Sequence, residues 1–384
     1  MEIVVSAFHL AGMGGMQSYA LTIAVALERL GHRVTLYGHE LGTAADVALE
    51  RGLRLCGSPL ALPGDVDALI ANDAVTALEL SERLPAALRL IVAHGPDLEV
   101  NRPPHVAGVV DAVVVMNDRV QRRIAQLALA PSRVERLNQP LDLLQFQDVG
   151  SLREPPREAL LLGNNLVGAR RELVERACAE LGVACRQVGS YGAPSGTPED
   201  AIAAADVVIG YGRSVLEGMA MGRAAFVFDH VGGDGWVTPD SYPVLEADGF
   251  SGMATDATFD RDRLVRELRR YSAEMGPLNR ELVRKNHQAL VHAEQLVQLL
   301  RELEPGAPNA ASAVEEMARL VRREHDARSQ SIAWGRRVQE LQAKLHDAEL
   351  RAADAEKQLR LVTGSRRWRL ACLVGRPLDR LRRR

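Results

Sequence analysis

The chain of 384 residues is longer than one ordinary domain, so two or three domains are expected. Its net charge of −3 excludes an overall positive field, and nucleic acid is therefore not an expected partner. No Cys-x-x-Cys pair, signal segment or run of ~20 apolar residues is present. These features favour a cytoplasmic protein that needs neither disulfides nor a membrane span.

Predicted strands and helices alternate through the first region, residues 1–149. A strand at 3–6 is followed by a glycine loop at 11–15 and by a helix over 16–30 with one apolar face. Further strands are predicted at 34–37, 68–71, 90–93 and 112–115. This alternation predicts a parallel sheet covered on both faces, as in a Rossmann-like α/β domain.

The same alternation recurs in the second region, residues 150–304, after a linker at 150–157. Strands are predicted at 159–162, 185–188, 207–209 and 225–228, and helices at 170–181, 198–205, 261–274 and 278–300. Residues 229–236 are rich in glycine and predict a long loop. A second Rossmann-like domain is therefore expected.

A candidate anion site follows the strand at 207–209. Gly210 and Gly212 permit a sharp turn and a close approach of a ligand to the backbone. Ser214 and Glu217 have the spacing of a capping box at a helix start, and Arg213 adds a permanent cation. Because a helix start at the carboxyl end of a parallel strand binds anions, we expect this bend to receive a diphosphate. A purely structural cap is the alternative.

The region after a second linker, residues 305–309, has a different pattern. Apolar residues recur at alternating steps of four and three over 312–362, which predicts a coiled-coil helix and, by default, a homodimer. A single charged helix packed on the second domain is the alternative. Residues 365–384 combine eight arginines with Trp368 and several leucines. This composition predicts a basic amphipathic tail that binds an anionic membrane surface. A basic tail without a partner is the alternative.

Four motifs resemble those of GT-B glycosyltransferases, closest to the large bacterial retaining group that uses nucleotide-sugars. They are the glycine loop Gly14-Gly15 with Gly31-His32-Arg33-Val34, the strand end Val92-Ala93-His94-Gly95, the segment from Asn138 to Asp142 with Phe146, and Leu216-Glu217-Gly218-Met219-Ala220-Met221-Gly222. The resemblance covers about residues 1–300. It implies two Rossmann-like domains in the GT-B architecture, followed here by the coiled-coil helix and the basic tail.

The resemblance also implies roles for individual residues. Gly14 and Gly15 would lie against the donor phosphates or the acceptor, His94 near the transferred sugar, and Glu217 on the nucleotide ribose. Arg170 and Arg171, assisted by Arg213, would neutralise the departing diphosphate, so that no metal is needed. Asp234 is a candidate for hydrogen bonds to sugar hydroxyls, although glycine-flanked aspartates more often form turns.

The sequence departs from the family pattern at two places. Ile209 occupies the position of an earlier glutamate, and Asn164 stands where a basic residue is usual. Two Asp-x-Asp tripeptides, at 65–67 and 260–262, match the metal motif of a different glycosyltransferase fold and are interpreted as chance.

The predicted function is transfer of a sugar, of hexosyltransferase type, from a nucleotide-sugar to a cell-envelope or lipid-linked glycan. The nucleotide-sugar is a co-substrate, and no further cofactor is expected. The tail suggests peripheral attachment to the inner face of the cell membrane. Two alternatives stay open, a nucleotide-sugar epimerase, which would need a pair of carboxylates in the cleft, and a catalytically degenerate scaffold for the coiled coil.

Overall fold

The computed structural model describes residues 1–95, 98–127, 133–189, 198–255 and 257–364. It divides into two compact units, Met1–Ala313 and Val314–Arg384. The basic tail, residues 365–384, lies outside the described residues. In the described part of the chain, no helix is both long and apolar enough to span a bilayer.

The first unit begins with a seven-stranded sheet, and we call the part built on it the first lobe. Its strands, with those of a two-stranded sheet beside it, are β1 Glu2–Ser6, β2 His9–Leu10, β3 Arg33–Tyr37, β4 Glu40–Leu41, β5 Arg54–Cys56, β6 Ala68–Ala71, β7 Leu88–Ala93, β8 Ala112–Val115 and β9 Val134–Arg136. Its helices are α1 Gly15–Arg29, α2 Thr43–Glu50, α3 Ala74–Arg83 and α4 Asp118–Ala125.

The strand order of the large sheet is β5-β3-β1-β6-β7-β8-β9, and all pairings are parallel. Strand β1 lies in the interior of the sheet, and its residues Ile3 to Val5 are fully buried. The chain runs toward one edge from β1 to β5 and toward the other from β6 to β9. The carboxyl ends of β1 and β6 therefore form a topological switch point, the place where open α/β sheets bind ligands.

A five-stranded sheet follows, and we call the part built on it the second lobe. Its strands are β10 Glu158–Leu162, β11 Ala184–Val188, β12 Val207–Gly210, β13 Ala224–Phe228 and β14 Gly233–Trp236. The helices of this part of the chain are α5 Gly168–Glu180, α6 Glu199–Ala204, α7 Arg213–Ala220, α8 Tyr242–Ala247, α9 Arg261–Leu268, α10 Met275–Asn286 and α11 Ala289–Arg301. The order is β11-β10-β12-β13-β14, with β14 alone antiparallel to its neighbour. The α/β class and the two Rossmann-like sheets are as predicted.

The glycine-rich segment 229–236 is not the long loop that the sequence predicts. Its second half forms β14, which pairs with β13. Gly233 permits this pairing, because a Cβ there would lie 2.6 Å from the Phe228 ring. Trp236 packs edge-on against Phe226, with ring centroids 5.0 Å apart. Aromatic packing around small glycines therefore favours a strand.

The single helix predicted over 278–300 is in fact two helices, α10 and α11. The chain is extended at Gln288, where it pairs with Leu141 as an isolated parallel bridge. Helix α11 then packs into the core of the first lobe, with Ala293, Leu296 and Leu300 fully buried. The chain therefore passes between the lobes twice, once near residue 140 and once near residue 288.

The long helix predicted near the C-terminus is present as α12, Ala310–Gly364. It has 55 residues, which corresponds to a length of ~80 Å. Several apolar residues of the heptad pattern, namely Trp334, Leu341 and Leu345, are at least half exposed. Whether this face pairs with a second copy stays a prediction.

Candidate functional site

Two connected cavities lie between the lobes, at the carboxyl ends of strands from both sheets. The inner cavity has a volume of about 150 Å³ and is lined by residues following β1, β10 and β11 and by the start of α7. The outer cavity has a volume of about 490 Å³. Residues that line both are Gly15, Gly163, Asn164, Arg213 and Ser214.

Most of the residues predicted for the site are brought together here. Those lining the inner cavity are Gly14, Gly15, Arg213, Ser214 and Glu217. His94 and Gly212 line the outer cavity. Gly210 lies directly beneath, where an added Cβ would be 2.6 Å from the Leu162 carbonyl oxygen. Residues from both lobes therefore converge on one cleft.

The N-terminus of α1 faces this cleft from the first lobe. Gly14 precedes the helix in an extended conformation, and no side chain among the described residues caps the first turn. The N–H groups of an uncapped first turn are free to donate, and the helix dipole places partial positive charge there.

The N-terminus of α7 faces the cleft from the second lobe. Gly212 has φ +55° and ψ −127°, a conformation that favours glycine, and its N–H donates to the Phe250 carbonyl at 2.8 Å. The predicted capping box does not form, because the helix begins at Arg213, and within the part of the chain that the structure describes no side chain caps it. Ser214 therefore lies inside the first turn, and Glu217 is free to pair with another group.

The partner of Glu217 is Arg213. Arg213 Nε donates to Glu217 Oε1 at 2.9 Å, while its two terminal nitrogens donate to the Pro140 carbonyl and to Thr22 Oγ1 on α1, both at 3.0 Å. Burial lowers the pKa of Arg213 and raises the pKa of Glu217, and each charge opposes the shift of the other. One guanidinium thus connects both lobes at the wall of the inner cavity.

His94 lies at the end of β7 and faces the outer cavity. Its Nε2 is 2.9 Å from Asn72 Oδ1, and the Asn72 amide nitrogen donates to the Ser6 carbonyl at 3.0 Å. The amide oxygen therefore faces the imidazole, so Nε2 carries the proton and Nδ1 is the acceptor. Burial lowers the pKa of His94 to about 3, which keeps the ring neutral near pH 7.

Three predicted site residues lie elsewhere. Arg170 donates to the carbonyls of Asp229 and Gly232 and stacks on Phe228, and Arg171 pairs with a glutamate one turn along α5. Asp234 accepts from the backbone N–H groups of residues 254 and 255. In the described part of the chain, none of the three lines either cavity. Their contacts are those of structural residues, since each one orders a loop or a helix turn.

The structure adds residues that sequence reasoning missed. Arg51, just after α2, lines the inner cavity and places a second cation near Arg213. Asn72 orients His94. No local signal marks Arg51, whereas Asn72 follows the apolar run of β6 and could have been noticed as a polar residue at a strand end.

The two chain crossings are held together by a pair of buried histidines. His292 Nδ1 donates to the Asn138 carbonyl at 2.9 Å, and its Nε2 accepts from the Tyr19 hydroxyl at 2.8 Å. Burial lowers the pKa of His292 to about 4. Tyr19 belongs to α1, so this contact ties the crossing to the first lobe.

His287 makes the same two kinds of hydrogen bond, to a backbone carbonyl and a tyrosine hydroxyl, on the side of the second lobe. Its Nδ1 donates to the Gln139 carbonyl at 2.8 Å, and its Nε2 accepts from the Tyr242 hydroxyl at 2.8 Å. Burial lowers the pKa of His287 to about 4. Consecutive carbonyls of the crossing are therefore bound by two neutral imidazoles.

The Asp-x-Asp tripeptides have structural partners. Asp67 accepts from the N–H of Glu2 at 2.7 Å, and Asp260 caps α9 by accepting from the N–H of Arg263 at 2.8 Å. Among the described residues, no group of three or more His, Cys, Asp or Glu is arranged to bind a metal ion.

Comparison with known proteins identifies the fold. No model of a protein family and no curated protein matches the sequence. The chain is similar to the crystal structure of HepE from Anabaena in complex with UDP-glucose, with 11% identity and a TM-score of 0.51 over 79% of this chain and 100% of HepE. The chain has the GT-B fold.

Other solved structures share the GT-B fold at similarly low sequence identity. An alpha-glucosyltransferase in complex with UDP and a 13-mer DNA has 13% identity and a TM-score of 0.50, over 79% of this chain and 100% of its own. Sucrose-phosphate synthase from Thermosynechococcus elongatus has 15% identity and a TM-score of 0.50, over 78% of this chain and 98% of its own. Identities this low show the fold alone. The two Rossmann-like sheets of this chain are consistent with that fold.

Proposed function

We propose that the protein is a metal-independent glycosyltransferase of hexosyltransferase type that uses a nucleoside-diphosphate sugar as co-substrate and no other cofactor. The observation that carries the proposal is the convergence of two uncapped helix N-termini, of α1 and α7, on one cleft together with Arg213. Such N-termini bind phosphate groups through free N–H donors and the helix dipole. HepE and the alpha-glucosyltransferase, which share the fold, bind UDP, so uridine nucleotides are the first donors to test.

Different residues of the cleft would have different roles in the transfer. Glu217 would accept hydrogen bonds from the ribose, while Gly15 and Ser214 would donate backbone N–H groups to the diphosphate. Negative charge grows on the diphosphate as its bond to the sugar breaks, and Arg213 and Arg51 would stabilise that charge. The neutral His94, with Nδ1 as acceptor, would bind a hydroxyl or a polarised C–H of the sugar.

The acceptor would be a cell-envelope or lipid-linked glycan that enters from the first lobe. The tail at 365–384 would attach the enzyme to the inner face of the cell membrane, and α12 would pair two copies. These proposals rest on the sequence pattern of residues 312–384.

The test is binding and turnover with the full-length protein. Calorimetric titration with UDP, GDP and uridine, and incubation with UDP-glucose, UDP-N-acetylglucosamine and GDP-mannose, should reveal tight binding of one diphosphate and slow release of free sugar. Ser214→Asp places a negative charge at the start of α7. It should weaken the binding of UDP at least tenfold and the binding of uridine less. Ser58→Asp, at an exposed position away from both cavities, is the matched control.

A catalytically inactive scaffold is the second candidate, and Ile209 favours it. This residue is fully buried in β12, where the resembling family often has a glutamate. Nucleotide binding without sugar release would support the scaffold, and absence of both would contradict the transferase. Conversion of the sugar within the intact donor would instead identify an epimerase.

A further inference from the structure

A groove of about 530 Å³ adjoins the outer cavity on the side of α4. Arg119, Arg122 and Arg123 line it from the first lobe, and Tyr211 and His230 from the second. We call it the arginine groove. It shares Arg119 and Tyr211 with the outer cavity, so the space beside His94 continues into it.

The groove is lined by three arginines, of which only Arg119 has a carboxylate, that of Asp248, within ion-pair distance among the described residues. No Asp or Glu is among the described residues that line it. The nearby Asp118 is already paired with Arg136 at 2.5 Å. The three arginines have spacings of three and four residues on one helix face, where like charges repel and destabilise the helix. Arg122 and Arg123 lie in the last turn of α4, where the helix dipole offsets part of this repulsion, and an anionic ligand would offset the rest.

The individual side chains have unused hydrogen-bond donors. Arg119 Nε is buried without a hydrogen-bond partner among the described residues, and it lies 4.0 Å from the Asp248 carboxylate. In the same part of the chain, Arg122 and Arg123 are exposed and have no ion pair. The Tyr211 hydroxyl accepts from Asn165 at 2.8 Å, which leaves its own proton free to donate. A buried guanidinium nitrogen without a partner is costly, so a bound anion would remove that cost.

We propose that the arginine groove binds a phosphate or diphosphate group of the acceptor. A phosphate monoester has close to two negative charges and three acceptor oxygens, which match several guanidinium groups better than one carboxylate does. Bound there, the anion would place the adjoining acceptor hydroxyl in the outer cavity beside His94. The inference rests on the proposed transferase function, because it assigns the acceptor of that same cleft.

The experiment measures anion binding after the donor site has been filled. Full-length protein saturated with UDP is titrated with octyl phosphate, glycerol phosphate, inorganic pyrophosphate and glucuronate. The double variant R122Q/R123Q should bind octyl phosphate and pyrophosphate at least tenfold more weakly, while its affinity for UDP changes less than twofold. R266Q/R270Q, which removes one exposed arginine on α9 and another just after it, should leave both affinities unchanged.

The outcomes separate the inference from the function on which it rests. If UDP binds and the phosphate probes bind wild type no better than R122Q/R123Q, the arginine groove is not an anion site. Equal binding of glucuronate and octyl phosphate would overturn the assignment to phosphate. If no nucleoside diphosphate binds but the probes do, the proposed donor function fails and the anion site remains. Octyl phosphate binding more tightly than glycerol phosphate would indicate a lipid-linked acceptor, and equal binding a soluble one.

Discussion

At the scale of single residues, the cleft depends on a buried ion pair between Arg213 and Glu217. Both side chains are about one-tenth exposed, and Arg213 also contacts Thr22 in the other lobe. Water screens such a pair little, so its charges act strongly on each other and on any ligand beside them. Breaking a buried pair is costly because it leaves one charge without a partner.

Glu217→Gln is expected to weaken the binding of the preferred nucleoside diphosphate about tenfold or more. The amide keeps an oxygen for Arg213 Nε but loses the charge that would accept strongly from the ribose, and hydrogen bonds to charged groups contribute about 1.5–3 kcal/mol. Calorimetry measures the effect. Glu175→Gln alters the equivalent pair with Arg171 on α5, outside both cavities, and should leave affinity unchanged. Equal losses in both variants would remove Glu217 from the site.

The buried histidines at the crossing predict a loss of stability in mild acid. His287 and His292 stay neutral in the folded protein down to pH about 4, whereas the unfolded chain takes up their protons near pH 6.5. The unfolded state therefore binds more protons between these values, and stability falls as pH falls. From pH 7 to pH 5 the free energy of unfolding should drop by about 2 kcal/mol for each histidine.

His292→Gln tests this dependence. The variant should lose part of the difference in unfolding free energy between pH 7 and pH 5, measured by urea denaturation at both values. A simple packing defect would lower the free energy of unfolding equally at both pH values. His346→Gln, at an exposed position on α12, should keep the full difference. An unchanged pH dependence in His292→Gln would show that this histidine is protonated in the folded state as readily as in the unfolded one.

At the scale of elements, the bend between β12 and α7 directs a helix N-terminus into the cleft. Gly210 lets the strand end approach β10, and Gly212 takes the positive φ that starts the helix. Gly218 lets α7 pack on its own sheet, because a Cβ there would lie 2.7 Å from Val208. These glycines replace a side-chain cap, and the uncapped N–H groups remain available to a ligand.

Gly212→Ala is expected to lower both stability and nucleotide affinity. A residue with a Cβ is strained in this conformation by about 1–3 kcal/mol, and relief of the strain would move the start of α7. Thermal unfolding and UDP titration measure the two effects. Gly64→Ala, at a site without positive φ or close neighbours, is the control. Wild-type affinity in Gly212→Ala would mean that the bend does not position the ligand.

At the scale of the whole molecule, the chain is organised by its two crossings between lobes. Residues 138–141 pass to the second lobe, and residues 287–289 return beside them so that α11 completes the first core. The sequence pattern places residues 289–304 with the second region, but α11 packs in the core of the first lobe. Beyond them, Arg89 and Asp111 bind the backbone of Gly306, so the segment before α12 is attached to the first lobe.

Removal of residues 310–384 should abolish dimer formation and leave nucleotide binding intact. If the heptad face of α12 pairs two copies, the full-length protein is a dimer and the shortened protein a monomer by light scattering. Nucleotide affinity should change less than twofold, because the cavity residues all precede residue 250 apart from Ser251. Removal of residues 365–384 alone should preserve the dimer and abolish sedimentation with anionic vesicles. A monomeric full-length protein would contradict the coiled coil.

Local pattern by itself determined much of the architecture. Consecutive β-branched residues, helical spacing and glycine positions predicted most strands, the bend at Gly210–Gly212 and a long helix over 312–362, because these depend on neighbours along the chain. The motif order predicted that Gly14, Glu217 and His94 lie near one another, and all three line the cleft between the lobes. The prediction of a glycine-rich loop was wrong, because the pairing of β14 depends on the packing of Trp236 against Phe226 of the neighbouring strand.

Only the tertiary structure decided which polar groups meet. Arg170 and Arg213 look alike in sequence, yet one binds the carbonyls of a neighbouring loop and the other joins two lobes at the cleft. Arg51 and the arginine groove became visible only when residues far apart in the chain were brought together. The reason is physical: secondary structure follows short-range sterics and hydrogen bonds, whereas the chemistry of a site follows contacts between distant residues, which no local pattern encodes.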